Sequence, residues 1–202
     1  MKKWLVLGAM VLSGFTQAAI VAGKDYNVLP KAQPTAPGKI GVVEFFSYSC
    51  IHCYNLEPAM ASWKKSQPAD VAVSREQVMW GKNMEGFVKL QATMKATGTE
   101  EKLHRPAFEA VMKQRINLGD EAVLAGWIAK QPGVDAKRFM DTFKSFGMQA
   151  AVNRAAKLTR DYQVEGTPLV VVAGKYAVAP AEPQRIVQVV DELVAKVRAE
   201  KK

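Results

Sequence analysis

The sequence holds only two cysteines, Cys50 and Cys53, and only two histidines, His52 and His104. That scarcity excludes whole classes of fold stabilisation. A secreted domain held by structural disulfides carries more cysteines, spread so that they close large loops. A bridge across two intervening residues closes a loop too small to add much stability on the chain-entropy model. A closed zinc site needs four ligands, and beside Cys50, His52 and Cys53 the chain offers only His104 as a further soft donor. An inert bridge and a zinc site therefore stand as the alternatives, each short of what it requires. No metal and no cofactor are expected, and redox chemistry is the reading that fits the pair.

Internal repeats and low-complexity tracts are also lacking. So is a concentrated basic patch: the net charge is +9, with 28 Lys and Arg against 19 Asp and Glu. The basic residues (Lys24, Lys39, Lys64, Lys82, Arg138 and Arg160 among them) are spread along the chain as solvated faces. That distribution argues against nucleic-acid binding. A long apolar run occurs once, from Trp4 to Phe15, after Lys2 and Lys3 and before Thr16-Gln17-Ala18. It is short for a bilayer and no stop-transfer pattern follows, so residues 1–18 are expected to be a cleaved export signal, with an N-terminal anchor as the alternative. No cysteine stands at the expected cleavage point, which argues against a lipid anchor. Loss of Lys2 and Lys3 lowers the net charge from +9 to +7.

What remains reads as an α/β chain. Tyr26 to Leu29 is a short strand candidate, followed by Pro30, Pro34 and Pro37 in an extended entry segment. Ile40 to Phe46 is nearly continuously apolar, as a strand buried on both faces should be. A helical pattern then starts at the cysteines with Cys53, Leu56, Met60 and Trp63, and Val71 to Trp80 is rich in β-formers. From Lys82 to Gly147 the pattern turns helical: Phe87, Leu90 and Met94; then Leu103, Ala107, Val111 and Met112; then Val123, Leu124, Trp127 and Ile128. Asp120 and Asp135 are expected N-caps, and Gly98, Gly133 and Gly147 expected stops. Gln149 to Tyr162 is helical, Leu169 to Val172 and Tyr176 to Val178 form a hairpin around Ala173-Gly174, and Pro183 opens a terminal helix. The division expected is 19–81 and 148–202 for the two parts of an α/β framework, with a helical domain over 82–147 between them.

A Cys-x-x-Cys pair where a buried strand passes into a helix puts Cys50 at the helix N-terminus. Free N–H groups and the positive end of the helix dipole converge there and favour thiolate over thiol. Cys53 lies one turn further in and faces the protein. His52 can add positive charge or a hydrogen bond near the Cys50 sulfur. A stabilised thiolate is a stabilised reduced form, which makes the disulfide the stronger oxidant. Glu44, inside Val42-Val43-Glu44-Phe45-Phe46, is either a buried proton acceptor beneath Cys53 or a residue on an exposed sheet edge. Gly166-Thr167-Pro168 is either an ordinary turn or a sharp bend just ahead of a strand.

The segment Val43-Glu44-Phe45-Phe46-Ser47-Tyr48-Ser49-Cys50-Ile51-His52-Cys53-Tyr54, with Val164-Glu165-Gly166-Thr167-Pro168, strongly resembles the DsbA family of periplasmic thiol:disulfide interchange proteins. The resemblance implies a thioredoxin fold with an inserted all-helical domain. It implies Cys50 as nucleophile, Cys53 as its buried partner and Glu44 as the buried acid. It implies a cis Thr167–Pro168 bond against the disulfide and a Thr167 backbone that pairs with an extended client segment. A soluble periplasmic monomer is implied, acting on reduced, unfolded secreted proteins and reoxidised by a quinone-linked membrane oxidase of the DsbB type. Two positions depart from the family's habit: Ile51 stands for the usual proline and Thr167 for a frequent valine, and both bear on redox potential. A disulfide isomerase or reductase is the rival enzyme, although Ala18 to Ile40 is too short for the extra N-terminal domain that dimeric isomerases carry. A holdase using Met84, Met94, Met112, Met140 and Met148 as an adaptable surface is the rival from another class.

Overall fold

The computed structural model describes residues 19–200, so the expected export signal over 1–18 lies outside the described residues. After β1 (Tyr26–Val28), the apolar run forms β2 (Ile40–Phe46). Val42 packs with Leu56 and Met60 and Phe46 with Cys53 and Tyr54, whereas Phe45 and Val43 pack on the other face with Tyr162 and Val171. That alternation puts Glu44 on the face shared by Val42 and Phe46, beneath α1 (Ile51–Ser66). The helix is the crossover to β3 (Val71–Gln77), which runs parallel to β2 from Ile40↔Val71 to Phe46↔Gln77. Parallel neighbours require such a long connection. β3 is shorter than the expected Val71–Trp80: the chain leaves the sheet at Val78, whose N–H makes a last 2.9 Å bond to the Phe46 carbonyl.

A short 3-10 turn (Lys82–Met84) leads into α2 (Glu85–Thr97), α3 (Glu100–Met112), α4 (Glu121–Ile128) and α5 (Ala136–Phe143). The Asp120 and Asp135 carboxylates cap α4 and α5 as expected, accepting the N–H groups of Val123 and Arg138, each at 2.9 Å. Gly98 closes α2 in the left-handed conformation. Gly147 does not act as a stop. It opens α6 (Gly147–Asp161), because α5 has already ended at Phe143 and Ser145 accepts the Met148 N–H across the intervening turn. Gly147 lacks the left-handed φ that makes a glycine a terminator.

β4 (Leu169–Val172) and β5 (Tyr176–Val178) form the expected hairpin. Ala173 and Gly174 are both left-handed, at φ 53 and 63, which suits the right-handed twist of a tight hairpin. Gly174 is needed for space as well, since a Cβ there would stand 2.1 Å from the Gln33 carbonyl oxygen. The sheet order is β1-β5-β4-β2-β3, antiparallel except for β2–β3. α7 (Pro183–Glu200) covers one face beside α1, with Ile186, Val190, Leu193 and Val194 in the same cluster as Leu56 and Met60. This is the α/β thioredoxin arrangement with helices set between its halves. The helices bury a second core, Leu90, Met94, Leu103, Phe108, Leu118 and Leu124, which is continuous with Phe46, Tyr48 and Cys53. Met94 and Met148 are buried and Met84, Met112 and Met140 pack partly buried against core clusters, so these methionines fill cores rather than line a groove. Among the described residues no helix is long and apolar enough to cross a membrane.

Candidate redox site

The turn between β2 and α1 holds the site. The Cys50 N–H donates to the Ser47 carbonyl at 3.0 Å, and the Ser49 N–H to the Ser47 hydroxyl at 3.2 Å. Tyr48, fully buried, anchors the turn in two directions. Its N–H donates to Gln77 Oε1 at the end of β3 (3.0 Å), and its hydroxyl lies 3.0 Å from His104 Nδ1 on α3. His104, the extra soft donor noted in the sequence, is thereby placed among Phe46, Tyr48 and Phe108.

Cys50 is the N-cap of α1. Its backbone is extended and its Sγ accepts the Cys53 N–H at 3.3 Å. The Cys50 thiol also points at the Thr167 carbonyl, 3.3 Å away, so the α6–β4 loop closes over the sulfur from the far side of the sheet. Both cysteines are free thiols, Cys50 half-buried and Cys53 buried. The Cys50 pKa is lowered to about 5: chiefly by a hydrogen bond from the Cys53 side chain, then by one from the Thr167 side chain and by the N–H groups of Cys53 and His52, against an opposing push from burial. Burial drives the Cys53 thiol far upward, with the bond to Cys50 adding to it. One sulfur is thus set up as a thiolate and its neighbour as a persistent thiol. At position 52 the backbone N–H is what stabilises the sulfur; the imidazole is exposed on the rim of a groove of about 630 Å³ that Leu56, Gly166, Thr167, Pro168 and Ile186 also line. The Thr167–Pro168 peptide bond is cis.

Glu44 is 2% exposed. The exposed-edge alternative does not apply, because β2 is flanked by β4 and β3. Burial raises its pKa to about 7, against the pull of Arg75 and with smaller upward contributions from Glu57 and Cys50. Arg75, itself buried, is the hub of a charge cluster that the sequence reading missed, with Glu44 and Glu57 buried and Glu101 exposed. Its guanidinium lies 4.0 Å from Glu44, 3.8 Å from Glu57 and 3.4 Å from Glu101. Arg105 on α3 reaches Glu57 from the other side at 3.8 Å. A charge at Glu44 in an apolar strand and one at Arg75 in the next strand were visible signals; pairing them required the register Glu44↔Arg75.

Two cysteines of opposite proton affinity, a carbonyl and side chain from Thr167 over the reactive sulfur, and a groove alongside form a site for sulfur exchange with another thiol. Comparisons with known proteins identify the family and its activity. Residues 67–192 match the DSBA-like thioredoxin domain family, a segment that begins after the cysteine pair. Near-full-length relatives include the thiol:disulfide interchange protein DsbA of Burkholderia cepacia, 40% identical over 98% of this chain and 96% of its own. The protein of that name from Pseudomonas syringae pv. tomato is 35% identical over 98% and 97%. Among solved structures, the oxidoreductase NmDsbA1 from Neisseria meningitidis superimposes with a TM-score of 0.85 at 34% identity, covering 92% of this chain and 97% of that one. Pseudomonas aeruginosa DsbA gives 0.84 at 36% identity, over 91% and 97%. The chain belongs to the DsbA family of protein disulfide oxidoreductases.

Proposed function

We propose that this oxidoreductase works as a disulfide donor, with Cys50 the exchanging sulfur, Cys53 its buried partner, and Thr167 and Pro168 the surface that receives the client. The observation that carries the reading is the asymmetry at the N-terminus of α1: Cys50 lowered to about 5 and Cys53 raised far above its ordinary value. A client thiolate attacks the Cys50 sulfur of the disulfide, the Cys50–Cys53 bond breaks, and Cys53 leaves as a thiolate that takes up a proton. Glu44, with a pKa of about 7, is suited to supply that proton through the interior. A second client thiolate then attacks the client sulfur of the mixed disulfide and expels Cys50. The client ends oxidised by two electrons and the protein holds two reduced sulfurs. Cys50 leaves readily because its thiolate is stabilised, and each unit of pKa below ambient pH adds about 30 mV of oxidising power. His52, at the groove rim, is placed to offer positive charge or a hydrogen bond to the sulfur.

The clients are reduced, unfolded exported proteins. An extended client segment pairs with the Thr167 backbone by strand addition, and the groove beside His52 takes its side chains. The site of action is the periplasm, reached through a cleaved signal over residues 1–18, and the protein acts there as a soluble monomer. A quinone-linked membrane oxidase of the DsbB type restores the disulfide. The test is oxidation of reduced, denatured ribonuclease A by the stoichiometric disulfide form. The wild type restores ribonuclease activity in the absence of other oxidants, and Cys50→Ala does not. A Cys50→Ala protein that still restored it would overturn the reading, and one that only suppressed aggregation would point to the holdase.

A further inference from the structure

Trp80 lies just beyond β3 and is 46% exposed. A large aromatic ring left in water gives up much of its hydrophobic gain, so its placement calls for another reason. Its indole Nε1–H donates to the Val164 carbonyl at 2.6 Å, across 84 positions of sequence. Its neighbour Met79 makes the companion contact, donating its N–H to the Thr159 hydroxyl at 3.0 Å. Two consecutive residues at the exit of β3 thus hold the last turn of α6, through Thr159, and the segment that joins it to β4, through Val164. Within that segment Val164 is pinned by a buried side chain and by its own N–H to the Thr159 carbonyl at 2.9 Å. Past Val164 come Glu165 and Gly166, both exposed, and then Thr167, which meets the Cys50 sulfur.

We propose that Trp80 is a positioning residue for the redox site: by holding the Val164 carbonyl it fixes the start of the Val164–Thr167 loop and so keeps Thr167 on the Cys50 sulfur. The proposal rests on the donor reading above and adds a residue that touches neither sulfur. The Trp80 N–H is the last fixed point before the loop reaches the site, with only two exposed residues between. Loss of that donor leaves a buried-side carbonyl to find water, which it does by letting the loop swing outward. The Thr167 side chain then spends less time against Cys50, and the thiolate loses the hydrogen bond it receives from that side chain. The ring is about half exposed and Phe keeps an aromatic ring there, so the fold itself is expected to tolerate the change.

The experiment is a titration of the Cys50 thiolate by its ultraviolet absorbance in reduced protein carrying Trp80→Phe. A second variant has 3-benzothienylalanine placed at position 80, which keeps the bicyclic shape and removes only the N–H. Both variants raise the Cys50 pKa by about 0.5 unit or more, and slow oxidation of a reduced client peptide about threefold, the loss expected of one hydrogen bond. In a Thr167→Val background the same substitutions leave the Cys50 pKa where Thr167→Val alone puts it, because the side-chain hydrogen bond through which Trp80 acts is gone. A Cys50 pKa unmoved in the Thr167 protein overturns the proposal, and so does an equal rise in both backgrounds. The wild-type titration decides the donor reading separately: a Cys50 that behaves as an ordinary thiol sinks that reading, whereas the difference between variants judges Trp80.

Discussion

Arg105 donates through Nη1 to the Tyr54 carbonyl at 3.1 Å. This is the acceptor to which the residue four positions on, Pro58, has no N–H to offer. Arg105 Nη2 also donates to the Tyr54 hydroxyl at 2.8 Å, so a side chain from α3 repairs the ladder of α1 one residue after Cys53. Arg105→Ala is expected to cost about 2 kcal/mol, the range for a charge-assisted bond to a carbonyl that is then left unpaired. In a Pro58→Ala background the helix supplies its own donor and the cost should fall by half or more. Urea unfolding of the four proteins checks this; equal costs in both backgrounds would show that Arg105 acts instead through Glu57 or through Glu109, whose carboxylate accepts the Arg105 Nε–H at 3.1 Å.

Glu44 contributes in the opposite sense. Its folded pKa of about 7 lies above that of an unfolded glutamate, so between roughly pH 4.3 and 7 the native state binds more protons than the unfolded state. Stability from this group is therefore fully present at low pH and is lost as pH rises through that window. Glu44→Gln should stabilise the protein at pH 8 by about 1–3 kcal/mol and have little effect near pH 4. Chemical denaturation at the two pH values measures it. A Glu44→Gln protein less stable at pH 8 would mean that the ion pair with Arg75 outweighs burial.

Gly86 on α2 packs closely against the backbone at Gly119. A Cβ there would stand 1.9 Å from the Gly119 carbonyl oxygen, so Gly86→Ala must push α2 away from the loop ahead of α4. Overpacking of this kind costs about 1–3 kcal/mol. A thermal melt of Gly86→Ala should show the loss, and an unchanged midpoint would mean that the loop moves freely. Because α2 supplies Gln91, which accepts the Gln77 N–H at 2.9 Å behind the active-site turn, a small rise in the Cys50 pKa should accompany it.

His52→Ala separates the imidazole from the peptide group at that position. Every side chain but proline keeps the N–H that stabilises the Cys50 sulfur. If the imidazole contributes charge or a hydrogen bond to the sulfur, His52→Ala raises the Cys50 pKa by about 0.5–1 unit and makes the disulfide less oxidising by roughly 15–30 mV. An unchanged titration would assign the tuning to backbone N–H groups, Cys53 and Thr167 alone.

The local chemistry was legible from the chain where one element contains the whole signal. The run Ile40–Phe46 coincides with β2, the Asp120 and Asp135 caps bond as expected, and Ala173-Gly174 makes its turn. Gly147 failed because a glycine marks either end of a helix, and only the position of Phe143 relative to it decides which. Arg75, Glu57, Gln77, Arg105 and Trp80 were not legible as site residues. Each acts through a partner distant in sequence, as Trp80 does with Val164, and a charged or aromatic residue in isolation reads as surface or core. The contact of Thr167 with Cys50 spans 117 positions and entered the sequence reading only through the family resemblance.

Titration of the Cys50 thiolate in the reduced protein, paired with equilibration of the Cys50–Cys53 couple against glutathione buffers, is the most direct measurement. The account predicts a midpoint near 5 and a couple more oxidising than glutathione. A midpoint near the ordinary thiol value of about 8.5, with a potential as low as that of thioredoxin, would contradict it.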